Sequence, residues 1–264
     1  MSAPDRTLLP ANPTMVVAEV MRSERISPTI MRITLGGEAL DRFEAMGFDQ
    51  WFRLFLPPAD DVDTNFDLPK KINLLGYVQF LAMPKATRPV MRNYTVREFR
   101  PAERELDIDF VAHGDNGPAS KWAGAARVGD SVALLDQGIM FNPGAGVDWH
   151  LLAADESGLP AVAGILRDMP RDAVGHAFIE IPDAADAQPV DGPPGMQVHW
   201  LVRDHGDRAG TLALSTVQAF DLPAGSVYAF VVGEQALPTS LRRWLVNTRG
   251  VPKANVTFCG FWRA

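Results

Sequence analysis

Phe141-Asn142-Pro143-Gly144-Ala145-Gly146 divides the chain into two rhythms. A proline and two glycines within six positions make it a hinge, not a helix or strand. On its C-terminal side, apolar runs alternate with helical stripes. Trp149–Ala154 is a compact apolar strand. After it, Val162, Ile165, Leu166 and Met169 recur at helical spacing. Strands are expected at 176–181, 197–202, 227–232 and 256–261. Leu237, Leu241, Trp244 and Leu245 make a helical face before the last of these, with Pro238 near its start and Gly250 just past its end. Strands alternating with helices imply an α/β domain with a mostly parallel sheet.

On the N-terminal side of the hinge, 15–22, 29–35 and 51–56 are short runs rich in β-branched or aromatic residues. Met31, Ile33 and Leu35 alternate with Ile30, Arg32 and Thr34; Leu106, Ile108 and Phe110 alternate with Asp107, Asp109 and Val111. Such strands, parted by Pro and Gly signals, predict an antiparallel barrel. The pattern breaks over 57–91, where four Asp fall within 60–67 and prolines recur. This reads as a surface excursion with solvated acids. The expected organisation is a flexible N-terminus (1–14), a β-barrel domain (15–146) and an α/β domain (147–264).

The 264 residues are 47% hydrophobic and 22% charged, a balance that permits one large or two ordinary domains. A net charge of −7 opposes nucleic-acid or anionic-membrane partners. No apolar run approaches a membrane span or a signal peptide, so no membrane insertion is expected. Cys259 is the lone cysteine, excluding an internal disulfide and reading as a small buried hydrophobe. A reducing cytoplasm fits. The five histidines show no HxH or HxxxH pair, so no metal site is expected. If iron is involved, it arrives already held by something else.

The chemistry-bearing residues begin with Arg92-Asn93-Tyr94-Thr95. On a strand, Arg92 and Tyr94 share one face and Thr95 takes the other. A guanidinium can grip phosphate bidentately, a phenol ring can pack on a planar cofactor, and a hydroxyl can hydrogen-bond near its reactive nitrogen. This spacing resembles the flavin motif of the ferredoxin-reductase superfamily. Asp109-Phe110-Val111-Ala112-His113-Gly114 follows at the distance of a later barrel strand. In Gly117-Pro118-Ala119-Ser120, Pro opens a short helix whose free N–H groups suit a pyrophosphate.

These motifs, followed by L-L-D-Q-G (134–138), L-L-A-A-D-E-S-G-L-P-A (151–161), V-V-G-E (231–234), L-R-R (241–243) and F-W-R (261–263), resemble in order and spacing the siderophore-interacting protein family. The similarity runs over 15–264. It implies a Greek-key FAD-binding barrel before a five-stranded parallel domain. It also implies reduction of a ferric siderophore, with NADH, NADPH or a ferredoxin as electron source. Carried over by position, Arg92, Tyr94 and Thr95 would hold FAD phosphate and flavin, with Thr95 nearest the chemistry. Asp109, Val111 and His113 would line its adenosine or ribityl side, and Ala119 and Ser120 would meet its pyrophosphate. Asp155 and Ser157 occupy the turn that faces nicotinamide in the superfamily. There, Asp155 and Glu156 could accept bonds from ribose hydroxyls. Glu180 and Asp183 favour a free ribose diol, whereas Arg203 favours a 2′-phosphate. Trp262 would cover the flavin or fill a seam between domains.

Ferric iron prefers the hard oxygen ligands of a siderophore, so one-electron reduction loosens the chelate. A flavin takes a hydride and can give its electrons singly. From Arg242 onward the chain carries Arg242, Arg243, Arg249, Lys253 and Arg263 and no acid. Arg242, Arg243, Lys253 and Arg263 are therefore the expected clamp for an anionic chelate. Two other readings remain open at this stage: a general NAD(P)H diaphorase or electron shuttle, and a non-catalytic carrier of ferric siderophores.

Overall fold

The computed structural model describes residues 7–58, 66, 68, 74–112 and 117–264. The N-terminal half is a seven-stranded antiparallel sheet. Its strands are β1 (Met15–Arg25), β2 (Ile30–Gly36), β3 (Trp51–Leu56), β4 (Val90–Thr95), β5 (Glu98–Arg100), β6 (Glu105–Val111) and β7 (Ser131–Gly138), in the order β4-β3-β7-β1-β2-β6-β5. The sheet is curled, because Tyr94 at one end packs against Phe110 near the other with ring centroids 4.3 Å apart. Its concave face buries the alternating residues Val16, Ala18, Val20, Ile33, Leu35, Phe52, Leu54, Leu106, Ile108 and Phe110. Helix α2 (Pro118–Ala125) closes this core with Trp122 and Ala123.

The intervening residues of β2 and β6 are also buried. Thr34 is opposite Asp107 and bonds its carboxylate at 2.7 Å; Arg32 is opposite Asp109 and makes two bonds to it. Ile30 joins the core of the second half. An alternating strand that would read as half-buried thus uses both faces, because Ile30 and Arg32 meet the other half and Arg100 of β5 covers the Thr34–Asp107 pair. The excursion after β3 contains a helix, α1 (Leu74–Ala82), whose Phe80 stands edge-on to Phe55 at 5.8 Å. The acids of 60–67 lie outside the described residues.

The C-terminal half is a five-stranded parallel sheet of order β10-β9-β8-β11-β12. Its strands are β8 (Trp149–Ala154), β9 (Val174–Ile181), β10 (Gly195–Val202), β11 (Val227–Glu234) and β12 (Val256–Trp262). Helix α3 (Leu159–Asp168) covers the face turned to the barrel. Helices α4 (Thr211–Ala219) and α5 (Ala236–Asn247) cover the other. The strand order reverses between β8 and β11, so the crevice at their carboxyl ends is the place where such sheets bind ligands. No described helix is long and apolar enough to cross a membrane.

The halves meet along a close seam. Asp49, buried, accepts N–H bonds from Met140 (3.1 and 3.2 Å) and Phe141 (2.9 Å), where the chain passes between domains. Asp168 accepts the Phe48 N–H, Arg167 donates to the Arg97 carbonyl, and Asp186 accepts from Ser27 and Thr29. Residues of the N-terminal segment expected to be flexible are held here as well. Leu8 pairs with Ile139 in both directions, and the Ala11 N–H reaches Glu44. Gly164 of α3 passes directly beneath the loop before β3, so a Cβ there would stand 2.1 Å from the Phe48 carbonyl oxygen. Gly164→Ala should therefore force the domains apart and cost about 1–3 kcal/mol, lowering the thermal midpoint by roughly 3–8 °C. Gly124→Ala, where a Cβ meets nothing within 4 Å, should be neutral or stabilising. Equal midpoints for the two variants in a thermal melt would mean that the seam yields without cost.

Candidate active site

Among the described residues, β4 is the outer strand of its sheet, with a neighbouring strand on one edge only. Arg92 is exposed, and its guanidinium donates to the Met91 carbonyl at 2.8 Å. Tyr94 lies half-buried on Phe110, which in turn packs on Trp122 at 5.7 Å; burial pushes its phenol above the ordinary range. Thr95 is 7% exposed and pairs with Trp51, and the next residue, Val96, donates its N–H to the Gln50 carbonyl.

Across from this edge, α2 opens with extended Gly117 and with Pro118, and no side chain caps it. The first amides of a helix lack intrahelical acceptors, and Pro has no N–H, so Ala119 and Ser120 present the free donors. The Ser120 hydroxyl is already given to the Val111 carbonyl at 3.0 Å, which ties α2 to the end of β6. For an anion, Ser120 therefore offers its backbone N–H. A Cβ at Gly117 would meet nothing within 4 Å, so this approach is open. An outer strand edge, an exposed guanidinium, a packed phenol and two helix-start amides fit a dinucleotide flavin. Asp109 faces away from this side, bonded to Arg32 at 2.7 and 2.8 Å and paired with Arg97 at 3.5 Å. Its carboxylate ties β2 to β6 and reaches Arg97. His113 lies outside the described residues.

At the switch-point crevice three of the expected acids, Asp155, Glu156 and Glu180, are buried, whereas Asp183 is exposed. Asp155 is 0% exposed and accepts from the Ser157 N–H and hydroxyl, the Glu234 N–H (2.6 Å) and the Trp262 indole (3.0 Å). Burial, and then Glu156 beside it, push its carboxyl up to about 6. Glu156 takes both Arg203 NH groups, and Glu180 accepts the Gly210 and Ala213 amides at the start of α4. Asp183 accepts the Ala185 N–H. Arg203 is thus engaged chiefly by Glu156, and Glu180 by the amides at the start of α4.

The C-terminal cations are spread out. Arg242 packs over the Phe258 ring at 4.6 Å, on the sheet face covered by α4 and α5 and away from the barrel. Arg243 is exposed on the same helix. Lys253 precedes β12 and Arg263 follows it, so about 20 Å of strand separates them. The four do not form one clamp. Arg263 alone of them adjoins Trp262, at the strand end beside the crevice.

Residues 19–140 match the family described as Siderophore-interacting FAD-binding domain, and residues 147–264 match Siderophore-interacting protein. Ferric vibriobactin reductase ViuB of Vibrio cholerae is 31% identical over 250 residues, covering 93% of this chain and 88% of that protein. The chain belongs to the siderophore-interacting protein family. A second member, the NADPH-dependent ferric-chelate reductase of Escherichia coli, is 32% identical over 249 residues, with 93% and 91% covered. The crystal structure of a siderophore utilization protein from T. fusca superposes with a TM-score of 0.80 at 32% identity, covering 97% and 95%.

Within this chain, two site-shaping residues were assigned no role from the sequence. Asp49 sits between Phe48, which stacks on Phe141, and Gln50, whose carbonyl holds Val96 beside Thr95. Arg97 reaches Asp109 and, at 3.4 Å, Gln188 of the other domain. A single acid or arginine in a loop has no periodicity to betray it. Among the described residues, no group of three or more His, Cys, Asp or Glu could hold a metal ion. Burial pushes the Cys259 thiol up, and the charge of Asp49 adds to this.

Burial also raises the Asp49 carboxyl to about 6, above its ordinary value near 3.8. Between those values the folded protein holds more protons than the unfolded chain, so this group's contribution to stability rises as pH falls. From pH 7 to 4 the wild type should gain about 1–3 kcal/mol on Asp49→Asn in urea titrations. A constant difference across that range would show that Asp49 titrates as an ordinary carboxylate.

Proposed function

We propose that this protein is an FAD-dependent ferric-siderophore reductase acting in the cytoplasm. It would take electrons from NADH, NADPH or a ferredoxin and release ferrous iron from the chelate. The observation that carries this reading is the convergence of Arg92, Tyr94 and the Ala119–Ser120 amides at an open strand edge, in a chain whose relatives are named ferric vibriobactin reductase and ferric-chelate reductase.

In this reading Arg92 and the α2 amides bind the FAD diphosphate. The phenol of Tyr94, held by Phe110, sets the plane of the ring system. Thr95, fixed by the pairing of β4 with Trp51, offers its hydroxyl beside the atom that accepts hydride. Bound FAD supplies the exchange between two-electron donors and one-electron acceptors. The ferric ion enters and leaves as substrate, carried by its own ligands, and needs no protein metal site. Arg263 is the cation best placed to steer an anionic chelate, with Arg242, Arg243 and Lys253 acting at longer range through the general field. Because Glu156 engages Arg203 and the start of α4 engages Glu180, neither NADH nor NADPH is favoured by those charges.

The purified protein should be yellow and release FAD, not FMN, on denaturation. Incubated without oxygen with NADH, NADPH or reduced ferredoxin and a panel of ferric siderophores, it should deliver ferrous iron to a chromogenic trap. Arg92→Gln should weaken FAD retention about tenfold by loss of one charge-assisted contact. Thr95→Val should keep FAD but slow its reduction. A protein that cannot be reconstituted with FAD would contradict the proposal. A flavoprotein that binds the chelate but turns over with no donor would instead be a carrier.

A further inference from the structure

We infer that Asp136 and Gln50 form a positioning pair that sets Thr95, through the start of β3, for its contact with the flavin. The role of Thr95 rests on the reductase reading, whereas the pair itself is a matter of geometry. Gln50 is 1% and Asp136 3% exposed, so their polar atoms must find partners inside the protein. They do. The Gln50 carboxamide donates to the Asp136 carboxylate at 2.8 Å and to the Glu44 carbonyl at 2.7 Å, while its oxygen accepts the Met46 N–H at 2.9 Å. The second Asp136 oxygen accepts the Gly138 N–H at 3.0 Å. A flipped Gln50 amide would set donor against donor at Met46, so the side chain has one orientation.

The backbone of Gln50 carries this setting to the candidate cofactor strand. Its carbonyl accepts the Val96 N–H at 2.8 Å, directly after Thr95. The next two residues, Trp51 and Phe52, pair with Thr95 and Tyr94 on one side of β3 and with Gly138 and Asp136 on the other. Two residues of β3 thus oppose three of β7, and Gln137 is the extra one of a β-bulge. A bulge bends its strand and re-aims the chain beside it, and this one is fixed from several sides. The Gln137 amide donates to the Leu135 and Asp136 carbonyls at 3.3 and 2.7 Å. Gly138 has φ +86°, and a Cβ there would stand 1.9 Å from the carbonyl oxygen of Leu8, which lies across the bulge and bonds Ile139 in both directions. An apolar pair would fill the same space without the cost of burying a carboxylate. What Asp136 and Gln50 supply instead is a single position for the chain that follows Thr95.

Asp136→Asn can keep the bond to Gly138 but turns an NH2 group on the Gln50 amide, donor against donor. Gln50→Glu sets two carboxylates face to face. Combined, the two substitutions restore one bond between the side chains, with donor and acceptor exchanged. The readout is the midpoint potential of bound FAD, taken by anaerobic dye equilibration, which needs no nicotinamide donor. A hydroxyl at the flavin's reactive nitrogen favours one redox state over the other, so Thr95→Val should shift this potential. Asp136→Asn and Gln50→Glu should each shift it in the same direction, and the double variant should return part of the way to wild type. In a Thr95→Val background, Asp136→Asn should add no further shift, because the group it positions is gone. FAD affinity should stay within about threefold of wild type, since Arg92 and the α2 amides are untouched. The Val96 amide should exchange with solvent about tenfold faster in Asp136→Asn. Should that variant fail to fold, Asp136→Ala, which removes the acceptor without adding a donor, is read in the same way. An unshifted potential, or an equal shift with and without the Thr95 hydroxyl, would overturn the inference and leave the pair a purely structural one. A chain that binds no FAD would contradict the proposed function instead. Val96 exchange then decides the pair by itself, and an unchanged rate would overturn it.

Discussion

The burial of the Asp49 carboxylate at the domain junction is the constraint on which the arrangement depends. A charge placed there is costly, and it is offset by backbone N–H groups of Met140 and Phe141. Satisfying it fixes the path of the linker. Its neighbours extend the effect: Phe48 meets Phe141 and α3, while Gln50 holds the chain just after Thr95. The candidate cofactor strand is therefore set relative to the parallel sheet by a handful of short-range bonds. The close passage of α3 at Gly164 leaves little room for that setting to drift.

A second principle runs through the C-terminal domain. Acids that could line an open ligand site are spent internally, Asp155 on Ser157, Glu234 and Trp262, Glu156 on Arg203, and Glu180 on the amides of α4. Buried carboxylates are tolerable only when their acceptor capacity is filled, and these are. At β4 and α2 the barrel presents an exposed guanidinium, which donates one bond to the Met91 carbonyl, and two helix-start amides without intrahelical acceptors. The two halves thus spend their polar groups differently.

Much of this was legible in the sequence. The change of rhythm at 141–146 separates the two sheets, and the apolar runs of β8, β9, β10, β11 and β12 stand out because a parallel sheet covered on both faces needs little polar alternation. Helix α4 was not legible, since it buries only Ala213 and Val217 and shows a faint apolar stripe. Helix α1 was hidden among prolines and acids. Arg92, Tyr94, Ala119 and Ser120 could be singled out because motif spacing carries them. The seam could not, because Asp49, Arg97 and Asp186 act through bonds to partners far away in sequence, which no local pattern marks. Composition likewise suggested one basic clamp, whereas tertiary structure puts Arg242 and Arg243 on α5 and Lys253 and Arg263 at opposite ends of β12.

The most direct measurement is a single turnover without any external donor. The FAD-loaded protein is photoreduced under anaerobic conditions and mixed rapidly with a ferric siderophore in the presence of a ferrous trap. Reoxidation of the flavin absorbance should coincide with trapped ferrous iron, at two ions per flavin. A flavin that stays reduced in the presence of the chelate, or that reoxidises without ferrous iron appearing, would contradict a ferric-siderophore reductase.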